Sequence, residues 1–259
     1  VIENDELRVL PINGAKTMPS CVGIDDDGKV IVGTSALNQF VLHPDRTALS
    51  VKRKMGTTIA TILGDQSYSP EELSSFVLKE LKLHAEKELG RKVSKAVITV
   101  PAFFDERQRK ATQDAAALAG LEAIRILNEP TAAALAYNAG QDDNRNMVVY
   151  DLGGGTFDVS IVVVENGIVE VKASHGDTQL GGDDFDDCLV NHVCDAFLTK
   201  HGVNLRDELR AVRRLKIALE KAKCDLSDRP YVSVREEFIH EGLHLDMEIS
   251  RGEYEEMIQ

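Results

Sequence analysis

Two rhythms of apolar and polar positions alternate along the chain. Short apolar runs such as KAVITV (95–100) and IRIL (124–127) predict strands, and longer mixed stretches between them predict helices. In SPEELSSFVLKELKLHAEKELG (69–90), Ser69 is placed to cap a helix, Pro70 suits its first turn, Glu72 completes a capping box and Gly90 ends it. FDERQRKATQDAAALAG (104–120) predicts a second helix from an Asp105 cap to a Gly120 stop, and NEPTAAALAYNAG (128–140) a third with Pro130 in its first turn. Strands alternating with helices in this way imply a layered α/β lobe.

The flanks read differently. VIENDELRVLPINGAKTMPSCVGI (1–24) predicts short strands broken by turns: Val1–Glu3 and Leu7–Leu10 as hairpin arms, with END (3–5) between them. IDDDGKVIVG (24–33) is a tight turn entering a strand, and its acidic run Asp25–Asp27 reads as a solvated turn. After the polar linker GQDDNRN (140–146), MVVYDLGGGTFDVSIVVVENGIVEVKASHGD (147–177) predicts strand, glycine turn, strand, an Asn166-Gly167 hairpin turn, and strand again. In DDFDDCLVNHVCDAFLTKHG (183–202), Phe185, Leu189, Val193 and Phe197 recur near helical spacing. LRDELRAVRRLKIALEKAKCDLS (205–227) carries a stripe of Leu205, Leu209, Val212, Leu215, Leu219 and Leu226. The last 29 residues, from Tyr231, read as a sheet followed by the start of a helix, so the sequence looks cut at both ends.

Composition narrows the function classes. With 259 residues, two lobes are the expectation. A formal charge of −13 argues against a nucleic-acid partner, which needs a clustered basic face. No apolar run is long enough to span a bilayer, and no signal peptide is visible, although the chain opens at Val1. Cys21, Cys188, Cys194 and Cys224 form no C-x-x-C pair and no zinc spacing, which reads as reduced thiols in a cytosol-like compartment. His240 and His244 flank a glycine within a predicted strand, and a metal role there is disfavoured.

The glycine triplet of VVYDLGGGTFDVS (148–160) is the strongest chemical signal. A Walker loop would continue with Gly-Lys-Ser/Thr and a helix, and a dinucleotide fingerprint would also continue with a helix, whereas a strand follows here. A tight hairpin whose glycines only relieve strain is the bland alternative. Against it stand Asp151 before the turn, Thr156 and Asp158 after it, and strands of buried character on both sides. Gly153, Gly154 and Gly155 can bring backbone N–H groups close to a phosphate, forming a nest for an anion. Asp151, costly at the end of a buried strand without a partner, suits a hydrated Mg²⁺. Thr156 offers a hydroxyl to a phosphate oxygen, with Asp158 as a second acid behind it.

Three blocks carry a family resemblance: VITVPAFFDERQRKATQDAAALAGLEAIRILNEPTAAALAY (97–137), VVYDLGGGTFDVS (148–160) and GDTQLGGDDFD (176–186). In this order they resemble signatures of the DnaK-type, seventy-kilodalton heat-shock chaperones. The compact segment between SVKRKMG (50–56) and SPEELSS (69–75) resembles the HscC-like branch. The resemblance implies an α/β fold of the actin-like ATPase (ribonuclease H-like) class, with two lobes, each with an outer subdomain, around a nucleotide cleft. Matched to this chain, residues 1–20 and 70–145 would form the first lobe's core and 21–69 its outer subdomain. Residues 146–183 would form an incomplete core of the second lobe and 184–259 its outer subdomain. The first of the family's two phosphate hairpins would lie before Val1 and its adenosine loop beyond Gln259, so this chain alone is expected to hydrolyse ATP weakly or not at all.

The resemblance also assigns roles. Lys52 matches the catalytic lysine that positions the attacking water and stabilises the γ-phosphate, a charge-offsetting task in phosphoryl transfer. Glu129 matches the carboxylate that orients Mg²⁺-bound water, and its charge also suits a helix N-terminus. Pro101 and Arg109 match a proline switch and its arginine relay, which couple nucleotide state to a substrate domain. Gly181 and Gly182 match backbone near the phosphate tail, with Asp184 continuing the turn. Glu220, Lys223 and Ser227 match residues lining the adenosine, and their spacing places them on one helix face. Cys224 stands where some relatives have arginine.

The implied cofactors are ATP or ADP with Mg²⁺, and K⁺ as a further cation. The implied partners are a peptide-binding domain with its unfolded polypeptide clients, a J-domain co-chaperone and a nucleotide-exchange factor, with neither nucleic acid nor membrane. A small-molecule kinase of the same fold is one alternative, against which the NEPTAAALAY and VPAFFDERQR blocks speak. A non-enzymatic filament or scaffold relative is the other.

Overall fold

The computed structural model describes residues 1–3, 6–138 and 144–259. The turn expected at END and most of the linker GQDDNRN fall on residues 4–5 and 139–143, outside the described residues. The chain divides into two compact units, Val1–Gln39 with Asp45–Gln179, and Phe40–Pro44 with Leu180–Gln259.

The first unit opens with the antiparallel pair β1 (Ile2–Glu3) and β2 (Glu6–Leu7). A small sheet follows in the order β4-β3-β5, built from β3 (Val22–Ile24), β4 (Val30–Val32) and β5 (Thr47–Ala48), with α1 (Thr34–Gln39) between the last two. The acidic run does form a solvated turn, in which the Asp25 carboxylate accepts the N–H groups of Asp27 and Lys29. Residues Val51–Lys54 make a 3-10 turn, followed by the hairpin of β6 (Thr61–Leu63) and β7 (Gln66–Tyr68). Val22, Ile24, Ala48, Val51, Leu63 and Leu73 close over one another as the core of this region.

Helix α2 (Pro70–Leu89) begins and ends on local chemistry: Ser69 and Glu72 form a reciprocal capping box, and Gly90 adopts a left-handed φ of 64°. Then come β8 (Lys95–Val100), α3 (Glu106–Leu118), β9 (Glu122–Asn128) and α4 (Glu129–Asn138). Strands β8 and β9 pair in parallel across α3, as a β-α-β unit requires. Helix α3 is capped by Asp105 with Gln108, and Gly120 beyond its end has a φ of 71°.

Strands β10 (Arg145–Leu152), β11 (Phe157–Glu165) and β12 (Ile168–Asp177) form an antiparallel meander. The glycines connect β10 to β11, and Asn166-Gly167 connects β11 to β12 with φ values of 52° and 76°, the left-handed pair a two-residue hairpin needs. The expectation of buried strands holds only in part. Along β11 every second residue is buried, Asp158 and Ser160 among them, but β10 leaves Val148 70% and Tyr150 67% exposed. The register explains this: Val148, Tyr150 and Leu152 lie opposite Ile161, Val159 and Phe157, so they share the sheet face away from Asp158.

The second unit is α5 (Gly182–His201), α6 (Leu209–Leu226), the hairpin β13 (Tyr231–His240) and β14 (Leu243–Ser250), and α7 (Arg251–Met257). Its core joins Leu189, Val193 and Phe197 of α5 to Leu215, Leu219 and Leu226 of α6 and Ile249 of β14. The predicted α6 stripe is shorter than expected. Leu205 is fully buried but belongs to a separate 3-10 turn, Glu208 is extended, and Leu209 is 48% exposed. Leu209 opens the helix, six residues before Leu215, which sets it about 120° around the axis from that residue and off the face that Leu215, Leu219 and Leu226 share.

All four cysteines are free, and no cluster of three ligating side chains able to hold a metal occurs among the described residues. His240 pairs with the Glu208 carboxylate, and His244 Nδ1 accepts the Phe238 N–H at 3.1 Å, so each has a partner of its own. No described helix is long and apolar enough to cross a membrane.

Candidate functional site

The glycine turn is closed by one backbone hydrogen bond, Gly153 N–H to the Thr156 carbonyl at 2.9 Å. Gly154 is exposed and Thr156 is buried, so the turn presents backbone at the surface and roots it beneath. Across the ladder Asp151 stands directly opposite Asp158. Asp158 is 3% exposed. Burial, above all, pushes its carboxyl above the ordinary range; the charges of Glu129 and Asp151 add to the rise, while the Phe103 N–H and Lys52 oppose it.

Lys52 and Glu129, 77 residues apart in sequence, meet at 2.8 Å between Nζ and Oε1. The lysine lies in the Val51–Lys54 turn and the glutamate opens α4. The pair is partly open to solvent, so its own contribution to stability is small, within about 1 kcal/mol. Three carboxylates, of Asp151, Asp158 and Glu129, thus share an electrostatic neighbourhood with one ammonium, which favours a cation.

Pro101 ends β8 and is buried. Asp158 accepts the Phe103 N–H at 3.3 Å, while Arg109 donates to the carbonyls of Phe104 at 3.1 Å and Ala102 at 3.2 Å. The loop after Pro101 is therefore tied on one side to the strand behind the glycine turn and on the other to α3. Arg109 is half-buried, which an exposed helix residue would not be.

A second group assembles within the other unit. Gly181 N–H donates to the Asp184 carboxylate at 2.8 Å, capping α5. Lys223 of α6 reaches the Gly182 carbonyl at 3.2 Å and the Asp186 carboxylate at 2.7 Å, which fixes the start of α5 beside α6. A cavity of about 290 Å³ is lined by Lys223, Ser227, Arg251, Tyr254 and their neighbours, while Glu220 is exposed on α6. Arg251 holds the end of α6 by donating to the carbonyls of Leu226 at 2.7 Å and Ser227 at 3.0 Å. Arg251 and Tyr254 line this cavity without having been singled out from sequence, because nothing in RGEY distinguishes them locally.

This α/β protein carries an acid-flanked glycine turn and a lysine–glutamate pair. The family model for Hsp70 protein matches residues 1–62 and 57–259, and the chain belongs to the Hsp70 family. Membership carries with it, at the level of the family, the actin-like ATPase fold, nucleotide-binding chaperone function and ATP hydrolysis with Mg²⁺.

Proposed function

We propose that this chain is the nucleotide-binding domain of a cytoplasmic DnaK-type chaperone of the HscC-like branch. It would bind ATP with Mg²⁺, transfer the γ-phosphoryl to water, and thereby control peptide binding by a separate domain. The lobe boundaries expected from the sequence belong to this proposal, as do a J-domain co-chaperone, a nucleotide-exchange factor and K⁺.

The observation that carries it is Asp151 facing Asp158 at the glycine turn, with the Lys52–Glu129 ion pair close enough to act on the Asp158 carboxyl. The donor set fits the implied metal: carboxylates are present in excess over cations, yet no three converge to grip a bare ion among the described residues. Such oxygen donors suit Mg²⁺, which keeps several waters and would be held from Asp151 and from Glu129 through them. When bound, Mg²⁺ supplies charge neutralisation at the phosphate oxygens. The chain's own groups then divide the work. Gly153, Gly154, Gly155 and Thr156 hold phosphate oxygens, Lys52 orients water and offsets charge on the transferred group, and Asp158 supports the turn. Gly181 and Gly182 approach the phosphate tail, and Glu220, Lys223 and Ser227 contact the adenosine. Pro101 and Arg109 report nucleotide state outward.

Phosphate release from ATP without added acceptor, in the full-length product of the gene, tests this reading. Lys52→Ala should cut the rate by about 10²–10³-fold, the scale of a lost electrostatic stabiliser, while leaving ADP affinity within about three-fold. Release that requires a small-molecule acceptor, or that ignores Lys52, would overturn it.

A further inference from the structure

We propose that Arg53 is a positioning residue for the glycine turn, aiming the N–H groups of Gly155 and Thr156 together at an anionic phosphate oxygen. The inference rests on the nucleotide-binding reading above and adds a residue that no sequence signal marked. The Arg53 guanidinium donates from Nε to the Gly155 carbonyl at 2.9 Å and from Nη2 to the Gly154 carbonyl at 3.4 Å. These are consecutive peptide units, and every described peptide bond is trans. In a planar trans peptide the N–H points opposite to the C=O. Holding the Gly154 and Gly155 carbonyls on one side therefore turns the N–H groups of Gly155 and Thr156 to the other side. Among the described residues neither of those N–H groups donates to a backbone carbonyl, so both remain available as a paired donor set.

The clamp is itself held. Arg53 sits in the Val51–Lys54 turn, whose Val51 is buried in the core, and its own carbonyl accepts Gln179 Nε2 at 3.2 Å. The neighbouring residue Lys52 is bound to Glu129, so one short turn delivers a side chain to each half of the site. The contact also accounts for the third glycine. A Cβ at position 155 would lie 3.0 Å from Arg53 Nε and 3.2 Å from its Cγ, displacing the guanidinium.

The test compares the affinities of Mg²⁺·ADP and of adenosine, by isothermal titration, in the full-length product of the gene. Their ratio reports the phosphate contacts, and adenosine affinity reports an intact fold. Arg53→Met should lower the ratio at least about ten-fold, the scale of one charge-assisted hydrogen bond, with adenosine affinity unchanged. Arg53→Lys should fail to restore it, because an ammonium keeps the charge but cannot hold two carbonyls as a planar fork does. Gly155→Ala, which keeps the arginine in the sequence but displaces its guanidinium, should show the same loss and carries the test if Arg53→Met does not fold. A wild-type ratio in Arg53→Met or Gly155→Ala, or full restoration by lysine, overturns the positioning role. A wild-type protein that binds Mg²⁺·ADP no better than adenosine instead refutes the nucleotide reading, and the inference falls with it.

Discussion

Replacing Gly176 by alanine should disturb the glycine turn from behind. Gly176 lies on β12 directly opposite Asp158. An added Cβ would come 2.4 Å from the Phe157 carbonyl oxygen and 2.9 Å from Asp158 Oδ1. Neither obstacle can rotate away, because one is backbone of a central strand and the other is a buried carboxylate held by the Phe103 N–H. The strands must separate by several tenths of an ångström, and overpacking of this kind costs about 1–3 kcal/mol. With backbone as the obstacle the upper part of that range applies, about 2–3 kcal/mol, which lowers the melting temperature by about 5–10 °C at this chain length. Differential scanning calorimetry of the variant against wild type measures it. A melting temperature within about 1 °C of wild type would show that β12 yields freely at this point and that the packing behind the turn is not tight.

Gly252 offers the opposite case: it lies in α7 with open space where a Cβ would go, so Gly252→Ala should raise stability by about 0.5–1 kcal/mol in urea unfolding, and a loss would refute the argument from space. Burial pushes the Cys21 thiol up from 9.0 to about 12. The native state then holds this proton where the unfolded chain releases it, so stability falls as pH rises from 9 towards 12, by up to about 1.4 kcal/mol per pH unit. Urea midpoints of wild type and Cys21→Ala should diverge across that window, and parallel curves would refute the assignment.

Much of this protein is legible from short segments. The caps of α2 and α3, the Asn166-Gly167 turn and the strand–turn–strand character around Gly153–Gly155 depend on residues within a few positions of one another, so their chemistry acts before any tertiary contact forms. The same holds for the recognition of Asp151, Thr156 and Asp158 as the acid-flanked edge of a turn. Other features have no local cause. Val148 and Tyr150 resemble core residues in the string of letters, and the register with β11 alone puts them on the exposed face.

The sequence by itself determined most of the helices, strands and turns, and the acid-flanked glycine turn among them. Only the tertiary structure decided that Arg53 holds two carbonyls 101 and 102 residues away, that Gly176 makes room for Asp158, and that Lys52 meets Glu129. Caps and turns are settled by hydrogen bonds among near neighbours. Contacts between distant segments exist only once packing has brought them together, and no single residue along the chain encodes the meeting.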